Sequence, residues 1–353
     1  MGPSAAFAGS CRAAAYGPST PRASAGYPSK GWVAPPCIWA HLSSLRVSGL
    51  PCNPLGVGPV QAVSISSPAK VNLYLEILGR RADGFHEIES VMQLVDLCDR
   101  VHLERAPTGI HLRVSGGDVP AGPSNLAYRA AALLARRSGL RDGVRIHLDK
   151  RIPVGGGLGG GSGNAAAVLA GLTRLYDLEE TPERLARLGA ELGSDVPFFL
   201  SPGLALVTGR GEQVRPLAPW PPGWMVLANP GVAVSTAWAY AEVSSKLTGR
   251  GRQSTIQTFA AAGSLPWPPA WAYNRFEEAV LPQRPEIRRL RQFLEGGGAA
   301  PVLMSGSGAS VFGVVAEAAA AEDLARRVRA TGAFAVAAAT LPINPILAAI
   351  GGD

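Results

Sequence analysis

The chain reads as an α+β protein built in two parts. Three observations predict this. Apolar strand patterns and amphipathic helical stretches alternate irregularly up to about residue 215. A proline-rich bridge, Pro216 to Pro222, then breaks the pattern. Beyond it a second series of strands and helices begins. A length of 353 residues is also what two domains require. The division predicted is an extension over 1–62, a first domain over 63–222 and a second over 223–346.

In chain order, residues 63–68 and 71–78 read as strands, because they alternate or run apolar. Val101 to Arg105 and Ile110 to Val114 flank Pro107-Thr108-Gly109 and read as a hairpin. Asn125 to Arg137 is an amphipathic helix with Ser124 available as its N-cap. Val144 to Leu148 reads as a strand. Asn164 to Tyr176 is an alanine-rich helix. Pro182 suits the first position of another helix, which ends at Gly193. The second part reads strand (225–228), helices, strand (302–304), glycine-rich turn, strand (311–315), helix (316–330) and strand (335–341).

The composition is ordinary for a globular chain, with 47% hydrophobic and 17% charged residues. The formal charge of +7 invites a nucleic-acid reading. Four of the bases, Arg12, Arg22, Lys30 and Arg46, lie in residues 1–66, where there is no acid. The rest is nearly balanced, with neither a basic stripe nor an aromatic-interleaved RNA motif. The expectation is therefore no nucleic-acid partner. No apolar run reaches the ~18 residues of a membrane span, so none is expected in a membrane. Cys11, Cys37, Cys52 and Cys98 show no metal spacing, which fits a reducing compartment. The first sixty residues are rich in Ser, Ala, Pro and Gly and have a transit-like composition. They read as a disordered extension. A cytoplasmic location is expected, or a plastid stroma if the segment is a transit peptide.

Between strand 144–148 and the helix lies Pro153-Val154-Gly155-Gly156-Gly157-Leu158-Gly159-Gly160-Gly161-Ser162-Gly163-Asn164. Glycine permits positive φ and close approach of a ligand to the backbone. A helix N-terminus adds unpaired N–H groups and a positive dipole end. Together they predict a phosphate cradle rather than a linker. The Walker A pattern fails, because no lysine closes the loop. GxGxxG matches at Gly155, Gly157 and Gly160, but Asp177, near the expected acidic offset, closes a helix and not a second strand.

The loop resembles the ATP-binding loop of the GHMP kinases, and its triple glycine resembles the branch whose substrate carries a cytidine diphosphate. Five further blocks follow that family's order: Ser67 to Leu73, Gly79 to His86, Gly193 to Phe198, Asn229 to Gly231 and Met304 to Ala309. They span about residues 63–345. The resemblance implies a ribosomal protein S5-like N-terminal domain and a ferredoxin-like C-terminal domain, with the active site between them. It implies ATP with Mg²⁺, a small-molecule cytidine diphosphate substrate, and a monomer or weak homodimer.

A kinase must cradle ATP, neutralise the moving phosphoryl group and orient the acceptor hydroxyl. Residues Pro153, Gly155, Gly156, Gly157, Leu158, Gly159, Gly160, Gly161 and Ser162 resemble the phosphate-binding set, with Asn125 and Lys150 near the adenine. Asp195 resembles the family's catalytic base and Lys70 its catalytic lysine. Asn72 is expected to position the acceptor alcohol. Phe85 and Tyr240 are expected to stack on cytosine, and His86 to bond its edge, in a set with Thr236. Asn274 to Glu277 resembles a structural block in which Arg275 replaces an acid. The protein ligands of the metal stay open. One departure is Gly163, where the family commonly has serine. With a negative φ at 163, Gly163→Ser is expected to keep or raise activity. Mevalonate, homoserine or sugar kinases of the family, and a non-catalytic nucleotide- or RNA-binding protein on the S5-like fold, are the alternatives.

Overall fold

The computed structural model describes residues 60–246, 256, 267, 269 and 271–350. Most of the predicted extension, with Cys11, Cys37 and Cys52, lies outside the described residues.

The two strands expected at the start are one long strand, β1 (Ala62–Arg80), paired antiparallel with β2 (His86–Ala106). The register between them shifts at Pro68/Ala69, Asn72/Tyr74 and Ile77/Gly79. Proline cannot donate to the ladder, and bulges of this kind bend a strand and re-aim its side chains.

The hairpin expected at 101–114 does not form. β3 (Ile110–Ser115) pairs in parallel with β4 (Gly143–Asp149), and β4 itself lies antiparallel against β2. β4 is thus inserted where the hairpin partner was expected. The insertion is tight: a Cβ on Gly143 would sit 2.1 Å from the carbonyl carbon of Thr108. Only glycine lets β4 start between the two strands. The seven-stranded sheet runs β3-β4-β2-β1-β8, where β8 is Tyr273–Asn274. β5 (Leu204–Thr208) pairs with the early part of β2, and β6 (Gln213–Pro216) with β5.

Helices α1 (Leu126–Ser138), α2 (Gly160–Tyr176) and α3 (Pro182–Leu192) contribute to the first core with Leu94, Leu103 and Ile146 of the sheet. α1 is capped by Asn125, whose side chain accepts from Ala127 N at 2.9 Å, and not by Ser124. Pro182 opens α3, as expected, and Thr181 caps it. α2 begins earlier than expected, inside the glycine stretch. Its small residues let it lie close to the sheet. A Cβ on Gly171 would meet Leu103 Cδ1 at 2.3 Å.

The second part forms a four-stranded antiparallel sheet in the order β11-β7-β10-β9: β7 (Trp224–Asn229), β9 (Val302–Met304), β10 (Val311–Val315) and β11 (Phe334–Ala339). Helices α4 (Thr236–Lys246), α5 (Glu277–Val280), α6 (Pro285–Gly296) and α7 (Ala318–Arg329) belong to this part. Its core joins Ile287, Leu290 and Leu294 of α6 and Leu324 and Val328 of α7 to Val226 and Val311 of the sheet. A third apolar cluster brings Val71 and Leu73 of β1 together with Met225, Leu227, Leu303 and Phe312 of the second sheet. This seam makes β1 a central element with two buried faces.

β8 reinforces the seam. Arg275, just past it, donates to both carboxylate oxygens of the fully buried Glu76, at 2.6 and 2.9 Å. It also reaches Glu278 and lies over the Tyr273 ring. These bonds raise the guanidinium pKa above its ordinary value, led by the bond to Glu76. Removing one partner strands a buried charge. Arg275→Met is therefore expected to destabilise the fold by about 3–5 kcal/mol. Denaturant unfolding at neutral pH checks it, and an unchanged midpoint would show that the clamp is dispensable.

Candidate active site

The glycine loop joins β4 to α2. Gly155, Gly157 and Gly159 have φ of 67°, 76° and 72°, the left-handed region that favours glycine. Two of them are also tightly packed. A Cβ on Gly157 would lie 2.1 Å from Ser305 O, and one on Gly159 would lie 2.7 Å from the Phe199 ring. Gly159 is the N-cap of α2 and offers no side chain to its first-turn N–H groups. An anion can satisfy them.

Both ends of the loop are tied to one buried carboxylate. Asp99 Oδ1 accepts from Arg151 N at 2.7 Å and from Ile152 N at 2.9 Å. Its Oδ2 accepts from Asn164 Nδ2 at 3.0 Å and from the Lys150 ammonium. Lys150 Nζ also donates to Asn164 Oδ1 at 2.9 Å, and Asn164 Nδ2 to Ser67 Oγ at 3.1 Å. The structure therefore places Lys150 beneath the loop, in a buried ion pair. It places Asn125 at the cap of α1. Sequence reasoning missed Asp99.

Lys70 projects from β1, and its backbone N–H donates to Leu158 O at 2.9 Å, which fastens the strand to the loop. Its ammonium is buried, 2.6 Å from Asn72 Oδ1 and 3.7 Å from Asp195 Oδ2. Burial lowers its pKa below the ordinary lysine value, and the Asp195 charge partly opposes that. Asp195 follows the end of α3 in a turn where Val196 N donates to Gly193 O. Its side chain is 32% exposed, so it can reach a ligand. Asn72 donates to Ser90 Oγ at 2.8 Å, which in turn donates to Tyr74 O. Lys70, Asn72 and Asp195 are thus brought together as expected.

These residues line a cavity of about 150 Å³ with Gly157, Gly159, Thr236, Tyr240 and Ser307. Its apolar wall includes Leu75, Ile88, Met92 and Phe276. Thr236 Oγ1 lies 3.1 Å from Ser307 Oγ. The turn bearing Ser307 is fastened to the glycine loop: Ser305 Oγ donates to Gly157 O at 3.0 Å and Ser310 N to Gly156 O at 3.1 Å. Asn274 holds the same turn through Met304 O and Gly306 O.

The aromatic residues are placed differently from the expected arrangement. The His86 ring stacks on Tyr240, with centroids 4.6 Å apart and planes at 17°, and its Nε2 is 2.6 Å from Ser244 Oγ. Burial, then the charge of Arg80, lowers the His86 pKa and favours its neutral form. Burial pushes the Tyr240 phenol up to about 12. Phe85 is 49% exposed and lies under the guanidinium of Arg210. Arg210, Ser90 and Met92 were not foreseen, whereas Ser307 lies in the Met304 to Ala309 block. The first has a signal, an arginine between two glycines at Gly209-Arg210-Gly211.

Among the described residues no group of three His, Cys, Asp or Glu side chains could hold a metal ion. No described helix is long and apolar enough to cross a membrane.

Comparison with known proteins gives a consistent picture. The GHMP kinases N terminal domain matches residues 125–203, and the GHMP kinases C terminal domain matches residues 255–333. The chain is 46% identical to a 4-diphosphocytidyl-2-C-methyl-D-erythritol kinase of Shouchella clausii over 71% of this chain and 85% of that one. It is 41% identical to the Geobacter sp. (strain M21) kinase of the same name, over 80% of this chain and all of the relative. A crystal structure of 4-(cytidine 5'-diphospho)-2C-methyl-D-erythritol kinase superposes with a TM-score of 0.67 at 38% identity, covering 79% of this chain and 99% of that one. A homoserine kinase of Cytophaga hutchinsonii shares the fold, with a TM-score of 0.61 at 19% identity over 83% and 98% of the two chains.

The geometry revises the expectation for Gly163. The residue is in α2 and its φ is not positive. However, a Cβ there would lie 2.8 Å from Ser67 Oγ and 3.2 Å from both Pro68 O and the Phe199 ring. Serine would push Ser67 off Asn164 and disturb the loop. Gly163→Ser is now expected to lower stability by about 1–3 kcal/mol, as overpacking does. Ser67→Ala in the same chain should recover part of the loss. Thermal melts of the single and double variants decide it, and a single variant as stable as wild type would contradict the packing argument.

Proposed function

The chain belongs to the GHMP kinases, and we propose that it phosphorylates the 2-hydroxyl of 4-(cytidine 5'-diphospho)-2-C-methyl-D-erythritol, with ATP as donor, in the non-mevalonate isoprenoid precursor pathway. The observation that carries this reading is the Lys70–Asp195 pair facing a cavity walled by the glycine loop on one side and by Thr236 and Tyr240 on the other.

The acceptor hydroxyl lies against Asp195, which takes its proton as general base as the oxygen attacks the γ-phosphorus, while the bond from that phosphorus to the β,γ-bridging oxygen breaks and ADP leaves. Lys70 favours the ionised carboxylate through its opposite charge. It also offsets charge on the transferring group. Asn72, held by Ser90, fixes the direction of the Lys70 ammonium. The loop from Pro153 to Ser162 and the first turn of α2 hold the phosphates of ATP through N–H donors. A Mg²⁺ ion bound with the nucleotide would supply charge neutralisation at the phosphates. Ser162, in the first turn of α2, would be suited to complete its shell, and Asp195 keeps the part of base. Lys150 and Asn125 act on the nucleotide site through the loop floor and the α1 cap.

At the other end, cytosine is read by Phe85, His86 and Tyr240. Rings 4.6 Å apart leave no room for a third between them. The His86 imidazole therefore swings off Tyr240 and exchanges Ser244 for the base edge. The enzyme acts in the cytoplasm on a small molecule.

Two tests follow. Asp195→Asn is expected to fold and bind both substrates while losing about 10²–10⁴-fold in kcat. A coupled ATPase assay measures it, and activity within twofold of wild type would remove Asp195 from the chemistry. His86→Ala and Tyr240→Ala should raise KM for the cytidine substrate by about tenfold and leave KM for ATP unchanged, because stacking is worth roughly 1–3 kcal/mol per base. Loss of ATP affinity with cytidine affinity kept would mean that the two nucleotides occupy each other's places.

A further inference from the structure

After β11 the chain crosses back from the second part to the first. Thr340 bridges Val95 of β2. Leu341 N then donates to Leu94 O at 2.9 Å, and Leu341 O accepts from Gln93 Nε2 at 2.9 Å. The crossing is close, since a Cβ on Gly203 would lie 2.1 Å from Leu341 O. Residues 342–350 continue as a strap over the first part, where Ile346 and Ala349 join its core.

Asn344 is the polar anchor of this strap. It is buried, and its Nδ2 donates to Phe199 O at 2.8 Å and to Ser201 O at 2.7 Å. Its Oδ1 accepts from Ile346 N at 3.0 Å. An amide has two N–H donors, and both are used here. Phe199 belongs to a short 3-10 helix, Pro197–Leu200, and Ser201 closes it. Carbonyls at a helix end lack partners within the helix, and buried ones need a donor from elsewhere. Asn344 supplies two of them across 143 positions of sequence.

That helix starts two residues after Asp195. Phe199 N donates to Val196 O at 3.1 Å and Val196 N to Gly193 O at 3.2 Å, so the turn bearing Asp195 and the helix form one hydrogen-bonded piece. The Phe199 ring marks the other end of the piece. A Cβ on Gly159 would lie 2.7 Å from that ring and 3.0 Å from Lys70 Cγ, so ring, loop and lysine stem pack together. The ion pair from Lys70 to Asp195 is long, at 3.7 Å, and leaves the place of the carboxylate to the backbone that carries it. We propose that Asn344 is a positioning residue for the phosphoryl transfer, holding the Pro197–Leu200 helix from the strap and so setting the Asp195 carboxylate against Lys70.

The proposal rests on the reading of Asp195 as the base that acts on the cytidine substrate, and the test separates the two. Steady-state kinetics with ATP and that substrate are run on the full chain, on Asn344→Ala, on Asn344→Gln and on Ile346→Val, well below the melting temperature recorded for each. Asn344→Ala should lose about 10–100-fold in kcat, the order that a misplacement of about 1 Å costs, with KM for both substrates little changed. Asn344→Gln keeps an amide one methylene further out and should fall between. Ile346→Val loosens the packing of the strap without touching the two carbonyls, so it should melt lower and keep its kcat. Asn344→Ala added to Asp195→Asn should lower kcat no further, because a residue that acts through the carboxylate has nothing to position once the base is gone. A folded Asn344→Ala with the kcat of wild type would overturn the proposal. So would an equal kcat loss in Ile346→Val, or a loss that simply adds to that of Asp195→Asn. If neither variant at 344 folds, Asn344 serves the fold itself and the proposal fails. A wild-type chain that binds ATP but does not phosphorylate the cytidine substrate would instead sink the reading of function, and this proposal with it.

Discussion

The buried carboxylate of Asp99 is the constraint on which the site depends. A loop with seven glycines between 155 and 163 has little conformational preference of its own, and its ordering costs roughly 1–2 kcal/mol per residue of backbone entropy. Asp99 holds Arg151 and Ile152 before the loop and Asn164 after it, so one side chain sets the distance between the loop's ends. Its charge is balanced by Lys150 inside the protein, which accounts for a lysine at that depth. Removing either partner would leave the other buried and unpaired, which costs far more than the pair itself contributes. The loop is therefore held at both ends by one side chain.

The Lys70–Asp195 pair shows the opposite arrangement, a group held at a cost. Lys70 has a folded pKa below its unfolded value, driven by burial. In the unfolded chain it binds its proton more tightly, so its contribution to stability is fully present only above the unfolded pKa of 10.5 and is lost as pH falls through the folded value. At neutral pH the lysine thus weakens the fold. Asp195 reduces that penalty without removing it, because it stays partly open to solvent at 32% exposure. The seam of apolar residues between the two sheets and the Arg275–Glu76 clamp offset the cost nearby.

Much of this was legible in the residues. The glycine loop, the capped helices and the strands of the second part lie close to where pattern and turn chemistry put them. The hairpin at 101–114 failed because strand pairing is decided by what else competes for the edge. Ile110 to Val114 looks local to Val101 to Arg105, yet β4 arrives after a whole helix and takes the place between them. Gly143 was the single sign of that close approach. β2 was missed before Val101 because the strand is buried on both faces there and shows no alternation. Ser90 and Met92 were lost with it. The stacking of His86 on Tyr240 was unreadable for another reason, since the two lie 154 positions apart and meet only where the two sheets join.

The way the two parts join also explains how the loop presents its donors. A trans peptide is planar, so its C=O and its N–H point to opposite sides. Three successive carbonyls of the loop are taken up within the protein. Gly156 O accepts from Ser310 N, Gly157 O from Ser305 Oγ and Leu158 O from Lys70 N. The N–H groups of Gly157, Leu158 and Gly159 are thereby turned away from those partners. Two of the three carbonyls are held by the second sheet's turn and one by the strand that carries Lys70. Neither part could orient the loop by itself. The glycine loop, Lys70 and the turn that walls the cavity are thus set by the same three hydrogen bonds, and a shift of one part against the other would misdirect all of them together.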